Sequence, residues 1–146
     1  MVKPPSISRE RSYKYLLVVR NQEGVEMKSI VEVADELALL QPYRYIVERY
    51  LAGLQRLTVV ARPMRGAQDT ASPVFITFRT VEYMQMPTYW EEAPFILGTP
   101  NECQALLERI GIEIVKQLPY LFYAQLPKSR VYVVCGHVDI SDTMPP

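Results

Sequence analysis

The apolar residues of this chain come in short runs that charged residues or prolines interrupt. Apolar side chains make up 49% of the 146 residues, and 12 prolines are spread along the sequence. No run reaches the roughly 18 consecutive apolar residues that a membrane-spanning helix needs. We therefore expect short strands and helices around one core, which a chain of this length is able to build without disulfides or a metal.

The two ends of the chain are more polar than its middle. We predict a flexible tail over residues 1–11, a single domain over 12–140 and a second flexible tail over 141–146. Two cysteines are too few for a disulfide framework, and no apolar leader opens the sequence. These features favour a reduced, cytoplasmic protein without a membrane segment.

The first half of the chain predicts strands followed by two helices. Tyr13 to Arg20 is apolar on both faces at its centre, which is typical of an inner strand. Residues 25–28 are expected to form a short return strand, shown in parentheses in the element order below. Ser29 followed by Glu32 has the spacing of a capping box and favours a helix to about Leu40; the alternative is a strand continued through 25–33.

A second helix is predicted immediately after Pro42. Apolar residues recur at helical spacing over three turns, whereas Tyr45 falls off this stripe and is expected to be exposed. Proline is well suited to the first position of a helix. The apolar stripe consists of Tyr43, Ile46, Val47, Tyr50, Leu51 and Leu54.

The second half predicts mostly strands. Leu57 to Ala61 and Val74 to Tyr83 are expected to form a hairpin with a long connection over 64–73. A second capping box, from Thr99 to Glu102, predicts a helix to about Leu118. The segment 119–127 fits either helix or strand, and Arg130 to Ile140 predicts the last strand.

These elements follow the order β-(β)-αα-β-β-α-β. Because strands do not alternate strictly with helices, the pattern indicates an α+β fold. We expect one mostly antiparallel sheet of about 4–5 strands with about three helices on one of its faces.

Few side chains in this sequence point to catalysis. His137 is the only histidine, which excludes metal sites built from two or more histidines, and we predict no metal and no cofactor. Cys135, His137 and Asp139 alternate along one predicted strand, but residues two apart point outward in parallel rather than toward each other. An enzyme that uses Cys135 and His137, or carboxylates such as Glu91 and Glu92, stays as an alternative.

The charges cancel over the whole chain but are unevenly distributed. Sixteen basic residues balance 16 acidic ones, which argues against nucleic acid as a partner. Between Arg56 and Arg79 the only acidic residue is Asp69, so weak nucleic-acid binding through this segment is a second alternative. A basic surface for an acidic peptide is the other interpretation of the same asymmetry.

Large, partly polar side chains are abundant near the prolines that follow residue 82. Tyrosine, tryptophan and methionine are common in interfaces because they bury area and adapt to a partner. We therefore predict a non-catalytic protein-interaction domain, such as an adaptor, assembly factor or small chaperone, that binds another protein or peptide and has the capacity to self-associate. The predicted contact residues are Tyr83, Met84, Met86, Tyr89, Trp90, Phe95, Arg62, Arg65 and Arg79, with Trp90 as the anchor; the alternative for Tyr89 and Trp90 is a place in the core.

Overall fold

A computed structural model describes residues 29–40, 43–64, 72–113 and 117–146. Within these ranges, nine strands and two helices form a mixed α and β fold in which strand predominates and the paired strands are antiparallel. The expected α+β class and antiparallel pairing are thus confirmed. The predicted elements before residue 29 lie outside the described residues.

The helices are α1 (Ile30–Ala38) and α2 (Pro100–Ile110). The strands are β1 (Tyr43–Leu51), β2 (Arg56–Pro63), β3 (Val74–Arg79), β4 (Tyr83–Gln85), β5 (Tyr89–Glu91), β6 (Ile96–Leu97), β7 (Tyr120–Gln125), β8 (Arg130–Cys135) and β9 (His137–Ser141). A short 3-10 helix, Ala52–Leu54, joins β1 to β2. The segment 119–127, which fitted either state, contains strand β7.

The strands form two sheets, so the prediction of one sheet with about three helices on one face is wrong. Sheet A has five strands in the order β5-β1-β2-β3-β9, and sheet B has four in the order β4-β8-β7-β6. The predicted hairpin of β2 and β3 is present, with Val59 opposite Ile76. The two sheets arise because both long strands of the second half bend and pass from one sheet to the other.

The bends lie at Thr80 and Gly136, which are in contact. The chain leaves β3 at Arg79 and enters β4 in the other sheet, while β8 passes into β9 across Gly136. The Gly136 N–H donates to the carbonyls of Arg79 and Thr80, at 3.0 and 3.2 Å. Strands that change sheets through a bend make the corners of packed sheets.

The segment predicted as the second helix is strand β1. It pairs with β2 along its whole length, and a register shift lies between Val47 and Arg49. Its aromatic and β-branched residues suit a pleated surface, and its apolar positions also match a strand that contains one bulge. Tyr45, predicted to be exposed, is fully buried.

The capping residues of both helices match the sequence prediction. The Ser29 hydroxyl accepts from the Glu32 N–H at 3.1 Å, which supports the helix and not the strand alternative. Thr99 and Glu102 form a complete capping box. Helix α2 ends at Ile110 rather than near Leu118, because Gly111 adopts a left-handed φ of 80°.

The inner faces of the two sheets enclose the main core, in which the rings of Phe78 and Phe122 meet edge to face at 5.8 Å. Helix α1 contributes Ile30, Val33 and Leu37 to the same core. Helix α2 packs on the outer face of sheet B and forms a second apolar cluster. In the described part of the chain, no helix has the length and apolar character required to cross a bilayer.

Candidate functional site

Trp90 and Phe95, two of the predicted contact residues, belong to the main core. Trp90 is 4% exposed and its ring stacks on that of Tyr45, with centroids 5.2 Å apart. The Trp90 indole N–H donates to the Ala93 carbonyl at 2.9 Å, so its polar edge is already satisfied inside the chain. In this fold, Trp90 has no free ring face to offer a partner.

The remaining predicted residues are distributed over different surfaces. Met84 and Met86 pack against the main core, whereas Tyr83 packs against the cluster under α2. Tyr89 is 47% exposed on β5, and its hydroxyl donates to Glu91, a hydrogen bond that raises the pKa of Tyr89. The structure therefore does not join the predicted aromatic residues into one contact surface.

The basic residues of the prediction are more informative. Arg62 and Arg79 occupy positions of β2 and β3 that alternate with the core-facing residues Ala61 and Phe78. Because successive side chains of a strand point to opposite faces, both arginines lie on the outer face of sheet A. Arg65 lies outside the described residues.

Five polar side chains lie on that outer face, and we call them the arginine face. Cross-strand pairing places Arg49 opposite Thr58, Thr58 opposite Thr77 and Thr77 opposite Asp139. The next row pairs Arg79 with His137. The arginine face consists of Arg49, Arg56, Arg79, His137 and Asp139.

Asp139 is the centre of a small hydrogen-bonded network. The Arg79 Nε donates to Asp139 Oδ2 at 2.9 Å, and the His137 Nε2 lies 2.7 Å from Asp139 Oδ1. Because a carboxylate only accepts, the His137 Nε2 carries the hydrogen of this bond. Partial burial alone would raise the pKa of Asp139, but the hydrogen bonds from His137 and Arg79 outweigh it and lower this pKa to about 2.

Arg49 and Arg56 hold the last residues of the chain. The Arg49 Nη2 donates to the Pro145 main-chain oxygen at 2.9 Å, and the Arg56 Nη2 donates to that of Pro146 at 2.7 Å. The Nε atoms of both arginines are buried and have no hydrogen-bond partner among the residues that the structure describes. Residues 145 and 146 of the predicted flexible tail, 141–146, are thus in contact with the arginine face.

The structure does not bring Cys135 and His137 together as a nucleophile and a base. They lie on either side of the bend at Gly136, and Cys135 faces the core whereas His137 hydrogen-bonds to Asp139. Cys135 is fully buried, and this burial raises the pKa of its thiol, which disfavours the reactive thiolate. Among the described residues, no group of three His, Cys, Asp or Glu side chains is placed to hold a metal ion.

The sequence indicated part of this surface. Arg79 was a predicted contact residue, and Arg56 belonged to the basic segment of the nucleic-acid alternative. Arg49 was missed because the helix prediction placed it on the polar side of a helix. Arg49 and Pro145 are 96 positions apart in the sequence, and Arg56 and Pro146 are 90 apart. No local sequence pattern predicts a contact over such a separation.

Comparison of the chain with protein-family models, with curated proteins and with solved structures gives no match. The arginine face combines three guanidinium groups with one carboxylate, and two of the guanidinium groups contact main-chain oxygens. Such a surface is able to bind the carbonyls and carboxylates of a peptide, because each guanidinium presents five N–H donors and no acceptor.

Proposed function

We propose that this chain is a non-catalytic protein-interaction domain that binds an extended, carboxylate-bearing peptide on the arginine face. The observation that carries the proposal is the contact between the arginine face and the chain's own segment Asp142–Pro146. Main-chain oxygens of this segment occupy the positions that a peptide ligand would use.

The two guanidinium groups are incompletely satisfied by their own chain. Their Nη2 atoms have partners, whereas the buried Nε atoms of Arg49 and Arg56 have none within the described part of the chain. A buried donor without a partner costs about 1–3 kcal/mol. A carboxylate accepts from Nε and Nη2 of one arginine at the same time, whereas each of these two main-chain oxygens accepts from Nη2 alone.

The segment Asp142–Pro146 is a competitor for such a ligand. Because it is tethered to β9, its effective concentration at the arginine face is on the order of millimolar. A partner must therefore displace this segment before it binds the arginine face. The tethered segment thus lowers the affinity of the partner. Removal of the segment is expected to strengthen binding.

The experiment compares the full chain with a chain that ends at Ser141. The probe is the peptide Ser-Asp-Thr-Met-Pro-Pro with an amidated or a free carboxyl end, and binding is followed by NMR titration into the millimolar range. We expect the shortened chain to bind the free-acid peptide at least about tenfold more tightly than the full chain, and the amide more weakly than the acid.

Arginine variants identify the surface. Arg49→Gln and Arg56→Gln should abolish the difference between acid and amide, whereas Arg62→Gln, an exposed arginine on the same face of sheet A, should leave it unchanged. Equal affinity of both chains for both peptides would contradict the proposal.

Tighter binding of a 15-residue oligo-dT, with a steep salt dependence, would favour the nucleic-acid alternative instead. Self-association and the cytoplasmic location stay predictions.

A further inference from the structure

A second surface lies on the opposite side of the molecule, where the outer face of sheet B extends beyond α2. Four side chains form one row across this sheet, because Gln85 pairs with Tyr132, Tyr132 with Tyr123 and Tyr123 with Ile96. Ile96 is 37% exposed and both tyrosines are half-buried. The row is therefore open to a partner, unlike the neighbouring Leu121 and Val134 beneath α2.

A guanidinium group stands over each of the two tyrosine rings. The Arg109 guanidinium lies 6.0 Å from the Tyr132 centroid, and that of Arg130 lies 5.1 Å from the Tyr123 centroid. Within the part of the chain that the structure describes, the recorded ion pairs involve neither arginine. Two positive charges thus flank the row without a carboxylate in salt-bridge contact.

Arg109 and Arg130 both line one cavity of about 200 Å³. Its apolar part is formed by Ala105 and Leu106 of α2 and by Leu121 of β7. This volume is below the roughly 300–1,000 Å³ of pockets that enclose drug-sized ligands. It suits one or two side chains of a partner rather than a complete cofactor.

We propose that this groove between α2 and sheet B is a second interaction site, which binds an acidic peptide segment in which glutamate alternates with an aliphatic residue. The aliphatic side chain enters the cavity over Leu121, and the glutamate carboxylate pairs with Arg109 or Arg130. Because Arg109 and Arg130 line the same cavity as Leu121, a carboxylate next to the aliphatic side chain meets a guanidinium group at the edge of the cavity.

The same geometry disfavours nucleic acid as the occupant. Bases bind to exposed aromatic residues by stacking on their ring faces, whereas the faces of Tyr123 and Tyr132 already carry guanidinium groups. Glu102 also lines the cavity, and its carboxylate accepts from the Thr99 N–H at 2.9 Å, so it opposes any anionic ligand on that side and does not distinguish a phosphate backbone from an acidic peptide.

The test uses the full chain and two defined pentapeptides. These are acetyl-Leu-Glu-Leu-Glu-Leu-amide and the neutral acetyl-Leu-Gln-Leu-Gln-Leu-amide, titrated while the ring resonances of Tyr123 and Tyr132 are followed by NMR. We expect at least tenfold tighter binding of the glutamate peptide at low salt. Arg109→Gln combined with Arg130→Gln should remove this preference.

Controls separate this site from the arginine face. Arg49→Gln combined with Arg56→Gln should leave the glutamate preference intact, so the failure of either proposal is recognisable without the other. Arg44→Gln, at an exposed arginine of sheet A, is the control for a simple loss of charge, and thermal unfolding checks that each variant is folded. Equal binding of the two peptides, a preference that persists in the Arg109 and Arg130 variant, or tighter binding of a 15-residue oligo-dT that shifts the same rings would overturn the proposal.

Discussion

Asp139 stabilises the fold only when it is ionised, because both of its recorded side-chain partners donate to it. Arg79 and His137 lower its pKa to about 2, from an ordinary value of 3.8. A carboxylate whose pKa is lowered by folding contributes stability above its ordinary pKa and loses that contribution as the pH falls toward the folded value. The relevant window is therefore between about pH 4 and pH 2.

This reasoning predicts the behaviour of Asp139→Asn. Its side chain is 36% exposed, so solvent screens the pair and we expect a loss of about 1 kcal/mol or less at neutral pH. The difference in unfolding free energy between the wild type and the variant should shrink below about pH 4 and vanish near pH 2. Urea unfolding at a series of pH values measures this difference. Asp35→Asn, at an exposed aspartate of α1, is the control. A difference that does not depend on pH would contradict the network.

The sequence predicted the role of a residue correctly where the signal involves only its near neighbours in the chain. Ser29 and Thr99 were recognised as helix caps because a cap and its partner are three residues apart. Tyr45 was not recognised as a core residue, and Trp90 was left open between contact surface and core, since their burial depends on the pairing of β1 with β5, about 45 residues away in sequence. Burial also raises the pKa of Tyr45, and its hydroxyl donates to the Leu40 carbonyl at 3.0 Å.

At the scale of single elements, Gly111 determines where helix α2 ends. The N–H of Gly111 bonds to the carbonyl of Glu108, and the N–H of Ile112 bonds to that of Leu107 at 2.9 Å. These two bonds form a Schellman motif, which requires a left-handed residue at Gly111. The helix prediction ran on toward Leu118 because the apolar pattern continues past this glycine.

A pair of glycine variants tests this conclusion. Gly111→Ala should cost about 1 kcal/mol of unfolding free energy, because alanine is strained at a φ of 80°. Gly53→Ala should change it by less than about 0.5 kcal/mol, since Gly53 lacks a positive φ. An added Cβ meets no atom within 4 Å at either glycine, so backbone conformation is the only difference under test. Equal costs in urea unfolding would refute the role of Gly111.

β1 shows why an element can be assigned to the wrong class. Its apolar residues fit a helix at a spacing of three and four, and they fit a strand equally once the bulge after Val47 shifts the alternation. The choice depends on the partner strand β2, and a single sequence contains no direct record of that pairing. The error also removed Arg49 from the candidate site.

The division of the molecule into two sheets occurs at one place, where two bent strands cross from one sheet to the other. The sequence predicted both strands, Val74 to Tyr83 and Arg130 to Ile140, but each as one continuous element. The bends were not predictable because Thr80 has a left-handed φ of 54°, which a β-branched residue rarely adopts. Thr80 packs against Gly136 where the two sheets divide, and this packing is a tertiary contact.

This crossing predicts an energetic coupling between Thr80 and Gly136. A Cβ added at Gly136 would lie 3.1 Å from the Thr80 Cβ, so Gly136→Ala should destabilise the fold by about 1–3 kcal/mol. In the background of Thr80→Gly the obstructing side chain is gone, and the same substitution should cost less by about 0.5 kcal/mol or more. The fluorescence of Trp90, the single tryptophan, follows urea unfolding of the four proteins.

Gly98→Ala provides the matched steric control, because its added Cβ would meet Leu121 Cδ2 at 2.9 Å, away from the crossing. Thr80→Gly should not reduce the cost of Gly98→Ala, since the two sites share no contact. If Thr80→Gly relieved both glycine variants equally, its effect would be a general gain in stability. If Thr80→Gly reduced the cost of neither glycine variant, Thr80 and Gly136 would not be energetically coupled at the crossing. Relief confined to Gly136→Ala is expected, because the crossing is the one described place where both long strands change sheets.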